Sequence, residues 1–418
     1  MITVPNRITI FEHETIRVDR GEKLLTAQQL NALQVFHREK DFPFYSFVHN
    51  GVKFGSYVGV LQIGSTTIEI LPKADKKNDD DTWRRVLIGM LRTVGVFDIQ
   101  APSQSQLALK SNSILDLYFE LFVKEVERLL HLGLVKKYRK TEGNLKALKG
   151  KLLFAKHIQK NIVHQQHFYT QHTTYDKDHN LHRILYKALL LLKQININST
   201  LQSRIGSLLL DFPEMPNIQI SEAVFEKLKY DRKTEPYRNS IQIARLLLLN
   251  YHPDLSKGSN NVLALMFDMN LLWEKFVYQS IRKHKPATTT VKEQTSKKFW
   301  LSSNGNCSSM KPDIVINQGE PNCLVLDTKW KNIEGKNPSP EDLRQMYVYM
   351  KFFKAEKVAL VYPGDENLYQ SGKYFKEENQ DIGFSECCLI SLSVEKVIAV
   401  WQKNISSSIE NWAKNKTS

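Results

Sequence analysis

Cysteine is scarce. The chain has four in 418 residues, two of them adjacent at Cys387 and Cys388, so it holds neither a disulfide framework nor a zinc-binding spacing. Cys307 and Cys323 read as small core or loop residues. No apolar run approaches the ~20 residues needed to cross a bilayer, and Met1-Ile-Thr-Val-Pro-Asn-Arg lacks the pattern of a secretory signal. These absences predict a cytoplasmic protein with no membrane partner. Also missing is the Gly-x-x-x-x-Gly-Lys-Ser/Thr loop that cradles nucleotide phosphates, which excludes a P-loop motor. His164, His167, His172, His179 and His182 are numerous, yet their spacing fits no metal template. Acids are outnumbered, 44 Asp and Glu against 58 Lys and Arg, for a net charge of +14. That excess suits a polyanionic partner but identifies none by itself.

What is present is ample for packing, since 42% of residues are hydrophobic and the length suits two or three domains. From residue 1 to about 75, the runs Ile8-Thr-Ile-Phe, Thr15-Ile-Arg-Val, Tyr45-Ser-Phe-Val, Ser56 to Ile63 and Thr66 to Leu71 alternate as strands do. Gly64-Ser65 is a two-residue hairpin turn, and a helix is expected from about Thr26 to Arg38. A small β-barrel or sandwich is therefore predicted. Lys73 to Asp81 is a charged linker. Amphipathic helices follow over Thr82–Val94 and Ile114–Leu132, then over Asp178–Leu192, continued by Ser199–Ser207, and over Ile241–Tyr251. Between them Lys136–Lys151 carries seven basic residues against the single acid Glu142 and reads first as a solvated basic loop, second as a contact to a DNA backbone or a partner.

The chemistry concentrates between Met310 and Lys331. Two β-branched and aliphatic runs, Ile314–Ile316 and Cys323–Leu326, flank the turn composition Asn317-Gln-Gly-Glu-Pro-Asn322, which predicts a hairpin of core strands. Asp313 precedes the first strand and Asp327 closes the second. Side chains alternate along a strand, so Asp327 and Lys329 are expected on one face, with Thr328 pointing away and offering its backbone carbonyl. Two carboxylates and a carbonyl make a hard oxygen site suited to Mg²⁺ or Mn²⁺. The neighbouring lysine can orient or deprotonate the attacking water and offset charge growing on phosphorus, which is the chemistry of phosphodiester hydrolysis. An Asp-x-Lys at a strand end is also a common solvated pair; the apolar strands behind these acids single this one out. Downstream, Asp342-Leu-Arg-Gln-Met-Tyr-Val-Tyr has helical periodicity and sets Gln345 and Tyr349 on one face, and a strand Lys357–Tyr362 ends at Pro363-Gly364.

This order of Pro-Asp strand, Asp-x-Lys strand, helix with Gln-x-x-x-Tyr and strand ending Tyr-Pro resembles the PD-(D/E)xK nuclease superfamily. Phe267-Asp-Met-Asn-Leu-Leu-Trp-Glu-Lys-Phe-Val looks like its first core helix, which would make Glu274 a further acid of the metal site. With Tyr57-Val-Gly-Val-Leu-Gln-Ile-Gly, Thr67-Ile-Glu-Ile-Leu-Pro-Lys, Leu148-Lys-Gly-Lys-Leu, Tyr175-Asp and Asn180-Leu-His-Arg-Ile-Leu in the same order, the chain resembles the McrC family, the nuclease subunits of modified-cytosine restriction systems of the McrBC type. The resemblance implies a multidomain α+β protein: a β-rich N-terminal module at 1–75, a helical middle region at 82–259 and a restriction-endonuclease-like α/β domain at 260–418. It implies Asp313, Asp327, Lys329, Glu274 and Gln345 as catalytic residues, with Asp313, Asp327, Glu274 and the Thr328 carbonyl holding the metal. Tyr349, Lys311 and Lys331 are candidate DNA contacts. The implied activity is cleavage of double-stranded DNA in phage defence by a 5-methylcytosine-directed endonuclease, docked through its N-terminal part on an McrB-like AAA+ GTPase hexamer that it stimulates. Two alternatives stay open: a non-catalytic activator of the motor, and a stand-alone RecB-like exonuclease.

Overall fold

A computed structural model describes residues 7–21, 23–40, 43–73, 79–94, 114–164, 166–252, 261–331, 333, 337–375 and 382–414. Residues 74–78 of the expected linker, and Met1–Asn6 of the N-terminal stretch, lie outside these. The chain divides into two compact units, one made of residues 1–106 with 252–418, the other of residues 107–251. No helix among the described residues is long and apolar enough to cross a membrane.

In the first unit, every strand expected before residue 75 forms, and Gly51–Phe54 adds one that the sequence reading omitted. These strands fall into two sheets. Gly51–Phe54 lies between Thr15–Arg17 and Tyr45–Val48, all antiparallel. In the other sheet Arg7–Phe11 runs parallel to Thr66–Leu71, which pairs antiparallel with Tyr57–Ile63. Tyr57–Ile63 then pairs antiparallel with Val262–Asp268. Val262–Asp268, where the third domain was expected to begin, therefore completes the N-terminal sheet, and Phe267 and Asp268, read as helix, end that strand. Gly59 is what permits the pairing: a Cβ there would lie 2.1 Å from the Leu265 carbonyl oxygen. Helix Ala27–Lys40 adds Leu33 and Phe36 to the core that Ile10, Val52, Ile68 and Val262 share.

The same unit holds a six-stranded mixed sheet in the order Val291–Glu293, Ile314–Ile316, Leu324–Thr328, Lys357–Gly364, Ile382–Ser393, Leu368–Phe375. Leu324–Thr328, Lys357–Gly364 and Ile382–Ser393 run parallel to one another, the other pairings being antiparallel. Every residue of Leu324–Thr328 and Lys357–Gly364 is buried, so both faces are covered, as near-continuous apolar strands require. Helix Pro340–Phe353 covers one face through Met346, Tyr349, Met350 and Phe353. Helices Met269–His284 and Ile398–Lys414 meet through stacked Trp273 and Trp401, whose ring centroids are 5.5 Å apart.

The second unit adds a small sheet to the expected helices. Its helices Ile114–Leu132, Asn180–Ile195, Ser199–Asp211 and Arg238–Leu249 occur with a three-stranded antiparallel sheet of Lys137–Leu145, Phe168–Asp176 and Lys151–Leu152. The basic stretch read as a loop is thus mostly strand. Its two faces alternate between half-buried and exposed rather than apolar and polar, so the two-residue period is hidden in a run of charges. The helix expected to continue through Ser199 breaks instead, because Asn198 caps a new one by accepting from the Thr200 and Leu201 amides.

Candidate active site

The expected hairpin forms, with Ile314 opposite Leu326 and Ile316 opposite Leu324. That register carries one step further to set Asp313 opposite Asp327 at the sheet end. The turn is made by Asn317 and Gly319, both in left-handed backbone. The strand Ile314–Ile316 has ended by the level of Thr328, and the Asp313 carboxylate takes the place of a strand partner. Its Oδ2 accepts from the Thr328 amide at 2.6 Å and from Thr328 Oγ1 at 2.8 Å. The Thr328 side chain, expected to point away, therefore reaches Asp313.

Asp327 is only 2% exposed. Burial first, then the charge of Asp313, pushes its carboxyl up to about 6, against the opposing pull of Lys329. Lys329 Nζ lies 2.7 Å from Asp327 Oδ2 and 3.8 Å from Asp342 Oδ1. Burial favours a neutral lysine, but Asp327 and Asp342 outweigh it and raise the ammonium, so Lys329 stays charged. Asp313 is raised by burial and by Glu274, and Glu274 by burial and by Asp327. The three acids are thus near enough to disfavour one another's ionisation. Glu274 stands on helix Met269–His284, which Asp268 caps by accepting from the Asn270 and Leu271 amides.

Among the described residues no group of three or more His, Cys, Asp and Glu side chains is gathered as a metal-holding cluster. Asp313 and Asp327 come together, and Glu274 belongs to their electrostatic neighbourhood without joining a ready-made triad. Gln345 and Tyr349 share a helix face as expected and bond each other, Gln345 Nε2 donating to Tyr349 Oη at 2.7 Å. Tyr349 is 5% exposed and packs in the core beneath the helix. Lys331 pairs with Asp342 at 2.8 Å, and Lys311 is exposed. The five histidines serve elsewhere: buried His182, for example, meets Tyr237 Oη and the Lys177 carbonyl.

The family described as the McrBC 5-methylcytosine restriction system component matches residues 52–363. The chain belongs to that family. Asp313, Asp327, Lys329, Glu274 and Gln345 all lie within the matched span of this McrBC component. Its relatives include the "Type IV methyl-directed restriction enzyme EcoKMcrBC" of Escherichia coli K12, 26% identical in an alignment 322 positions long that covers 71% of this chain and 89% of that one. Among solved structures, a chain of the half-complex from a tetradecameric assembly of Thermococcus gammatolerans McrB AAA+ hexamers with bound McrC superposes with a TM-score of 0.73. It is 21% identical, and the match covers 97% of this chain and 100% of that one. A chain of the Thermococcus gammatolerans McrBC complex gives 0.51 at 21% identity, covering 69% and 89%. The fold of this McrBC component is accordingly that of those chains.

Two residues of the site, and one behind it, escaped the sequence reading. Asp342 was read only as the start of a helix, yet it bonds to Lys331 and lies beside Lys329. The Ser339-x-x-Asp342 spacing was the available signal, since Ser339 caps that helix by accepting from the Asp342 amide. Gln294 donates to Glu274 Oε1 at 2.7 Å, and Glu12 accepts from Trp330 Nε1 at 2.7 Å. Neither carries a sequence signature.

Proposed function

We propose that this McrBC component is the nuclease subunit of its restriction system, a PD-(D/E)xK enzyme that hydrolyses DNA phosphodiesters with Mg²⁺ or Mn²⁺. The observation that carries the reading is the register placing Asp313 opposite Asp327, with Lys329 bonded to the second acid. The donor set fits a hard divalent ion: buried carboxylate oxygens that repel one another are relieved by a cation. Asp313 and Asp327 would hold it, with Glu274 beside them and the Thr328 carbonyl as a further oxygen. A bound ion supplies Lewis acidity toward the phosphate and a more acidic water. Lys329, kept protonated by Asp327 and Asp342, neutralises charge on a phosphate oxygen rather than acting as the base. Gln345 orients the attacking water or the scissile phosphate, itself held by Tyr349. Lys331 and Lys311 supply positive charge to the DNA backbone.

The partner in this reading is an McrB-like AAA+ GTPase hexamer, as in the assemblies that the fold resembles, with the N-terminal strands of residues 1–75 as docking element and 5-methylcytosine recognised by the partner. Asp327→Ala is expected to cut DNA cleavage by the assembled complex by about 10³-fold or to background while leaving the thermal midpoint and partner binding in place. Undiminished cleavage removes this site from the mechanism.

A second reading, an activator that stimulates the motor without cutting, is favoured by one observation. The two aspartates already spend hydrogen bonds on Thr328 and Lys329 and form no three-acid cluster among the described residues. The two readings part on whether a change in the cluster takes cleavage alone or cleavage together with GTPase stimulation.

A further inference from the structure

The register that sets Val291 opposite Ile316 and Glu293 opposite Ile314 brings the next residue, Gln294, opposite Asp313. Gln294 makes two bonds there. Its amide donates to the Asp313 carbonyl at 2.8 Å, continuing the ladder, and its side-chain Nε2 donates to Glu274 Oε1 at 2.7 Å. It does so from a left-handed backbone, φ +46°, which a side-chain-bearing residue rarely adopts and which glycine would occupy freely. A strained residue whose backbone holds one acid of the site and whose side chain holds another is an outlier with a use.

We infer that Gln294 is the positioning residue that sets the Glu274 carboxylate against the Asp313–Asp327 pair for a divalent cation. The inference rests on the metal-nuclease reading above. The chemistry explains why an amide stands there. Glu274 is 9% exposed, and the Gln294 side-chain amide is a donor that reaches its carboxylate and fixes its direction. A lysine or arginine partner would hold it but cancel the charge that a cation needs. An amide N–H holds the carboxylate and leaves its charge intact, the usual task of the groups that orient metal ligands from behind.

Gln294→Gly separates the two roles, because it deletes the amide while relieving the backbone. The full chain, wild type and variant, is titrated with Mn²⁺ alone by calorimetry and melted without metal. The expected result is Mn²⁺ affinity weaker by about 10-fold to 100-fold, with a metal-free thermal midpoint equal to or above wild type. Cleavage by the assembled complex should need correspondingly more Mn²⁺ and return to the wild-type rate at saturation. Gln294→Met, similar in size and without a donor, gives the same reading should the glycine variant fail to fold. Wild-type Mn²⁺ affinity in these variants, with Asp327→Ala unable to bind, overturns the inference and leaves the nuclease reading standing. Equal binding, or none, in wild type and Asp327→Ala overturns both.

Discussion

Two groups of acids, both within the span that matches the family, are treated oppositely by their surroundings. In the unit of residues 107–251, Asp178 accepts from Arg183 Nε at 2.6 Å and Nη2 at 3.0 Å, with Arg139 Nη2 at 3.2 Å. Arg183 foremost holds its carboxyl below the ordinary range. Asp176 takes both its oxygens to Arg139 Nε at 3.1 Å. In the mixed sheet, Asp313, Asp327 and Glu274 are pushed up, and among the described residues the one ion pair any of them makes is that of Lys329 with Asp327. Acids matched by arginines brace a fold. Acids buried together and short of positive charge describe a place where a cation is wanted. On the nuclease reading proposed above, the acids of one unit are structural and those of the other chemical, and their partners, arginines in the first and other acids in the second, differ accordingly.

The sharpest way to break this contrast is to remove the cation from each group. Lys329→Ala should lower cleavage by the complex by about 10²-fold to 10³-fold and leave GTPase stimulation at the wild-type level. Arg183→Ala should do the reverse of a catalytic change, lowering the thermal midpoint by the equivalent of about 1–2 kcal/mol with cleavage per folded molecule unaltered. Loss of cleavage and stimulation together in Lys329→Ala makes the sheet cluster structural as well, and the activator reading then prevails.

A smaller effect tests the same contrast through protons. Asp327 holds its proton more tightly folded than unfolded, so its contribution is most favourable at low pH and is lost as pH rises from its ordinary value near 4 to about 6. Asp178, shifted down, contributes stability above its ordinary value that is lost as pH falls through its folded one. In metal-free protein, Asp327→Asn should therefore gain on wild type as pH climbs through that upper window, on the order of 3 kcal/mol, whereas Asp178→Asn should lose to wild type at neutral pH and recover only in acid. Denaturation midpoints measured across pH decide it; slopes of the same sign for both variants erase the distinction.

Much of the site was legible in the sequence because it is local. Two apolar runs about a turn define the hairpin, and alternation places Asp327 and Lys329 together. The Thr328 hydroxyl was misjudged because alternation says nothing about a neighbouring strand that stops short and leaves an amide to be capped. What was illegible is mostly non-local. Nothing in Val262–Asp268 announces a partner at Tyr57–Ile63, and the strands Leu368–Phe375 and Ile382–Ser393 and the helix Ile398–Lys414 carry no motif at all. Gln294 is invisible for another reason: its importance lies in a backbone angle, and glutamine is not a residue that signals one.

The smallest effect on cleavage concerns an acid that tests the contrast from outside either group. Glu12, 6% exposed, is raised to about 7 by burial, against the hydrogen bonds its Oε1 accepts from the Lys73 amide at 2.8 Å and Trp330 Nε1 at 2.7 Å. Its shift resembles that of Asp327 in direction, but no second acid contributes to it. If an upward shift alone marked chemistry, Glu12→Gln would impair cleavage, since Trp330 follows Lys329 directly. A glutamine oxygen accepts the same two bonds, so Trp330 should stay in place and cleavage should be unchanged. Wild type, like any acid with a raised folded value, loses stability as pH rises from about 4.5 to about 7, and the glutamine variant does not. The variant should accordingly match wild type in acid and exceed it by on the order of 3 kcal/mol at pH 8, read as a difference in thermal midpoint. Slower cleavage at an unchanged midpoint would instead bring Glu12 into the machinery, and burial without acid-to-acid repulsion would then suffice to mark a functional group in this fold.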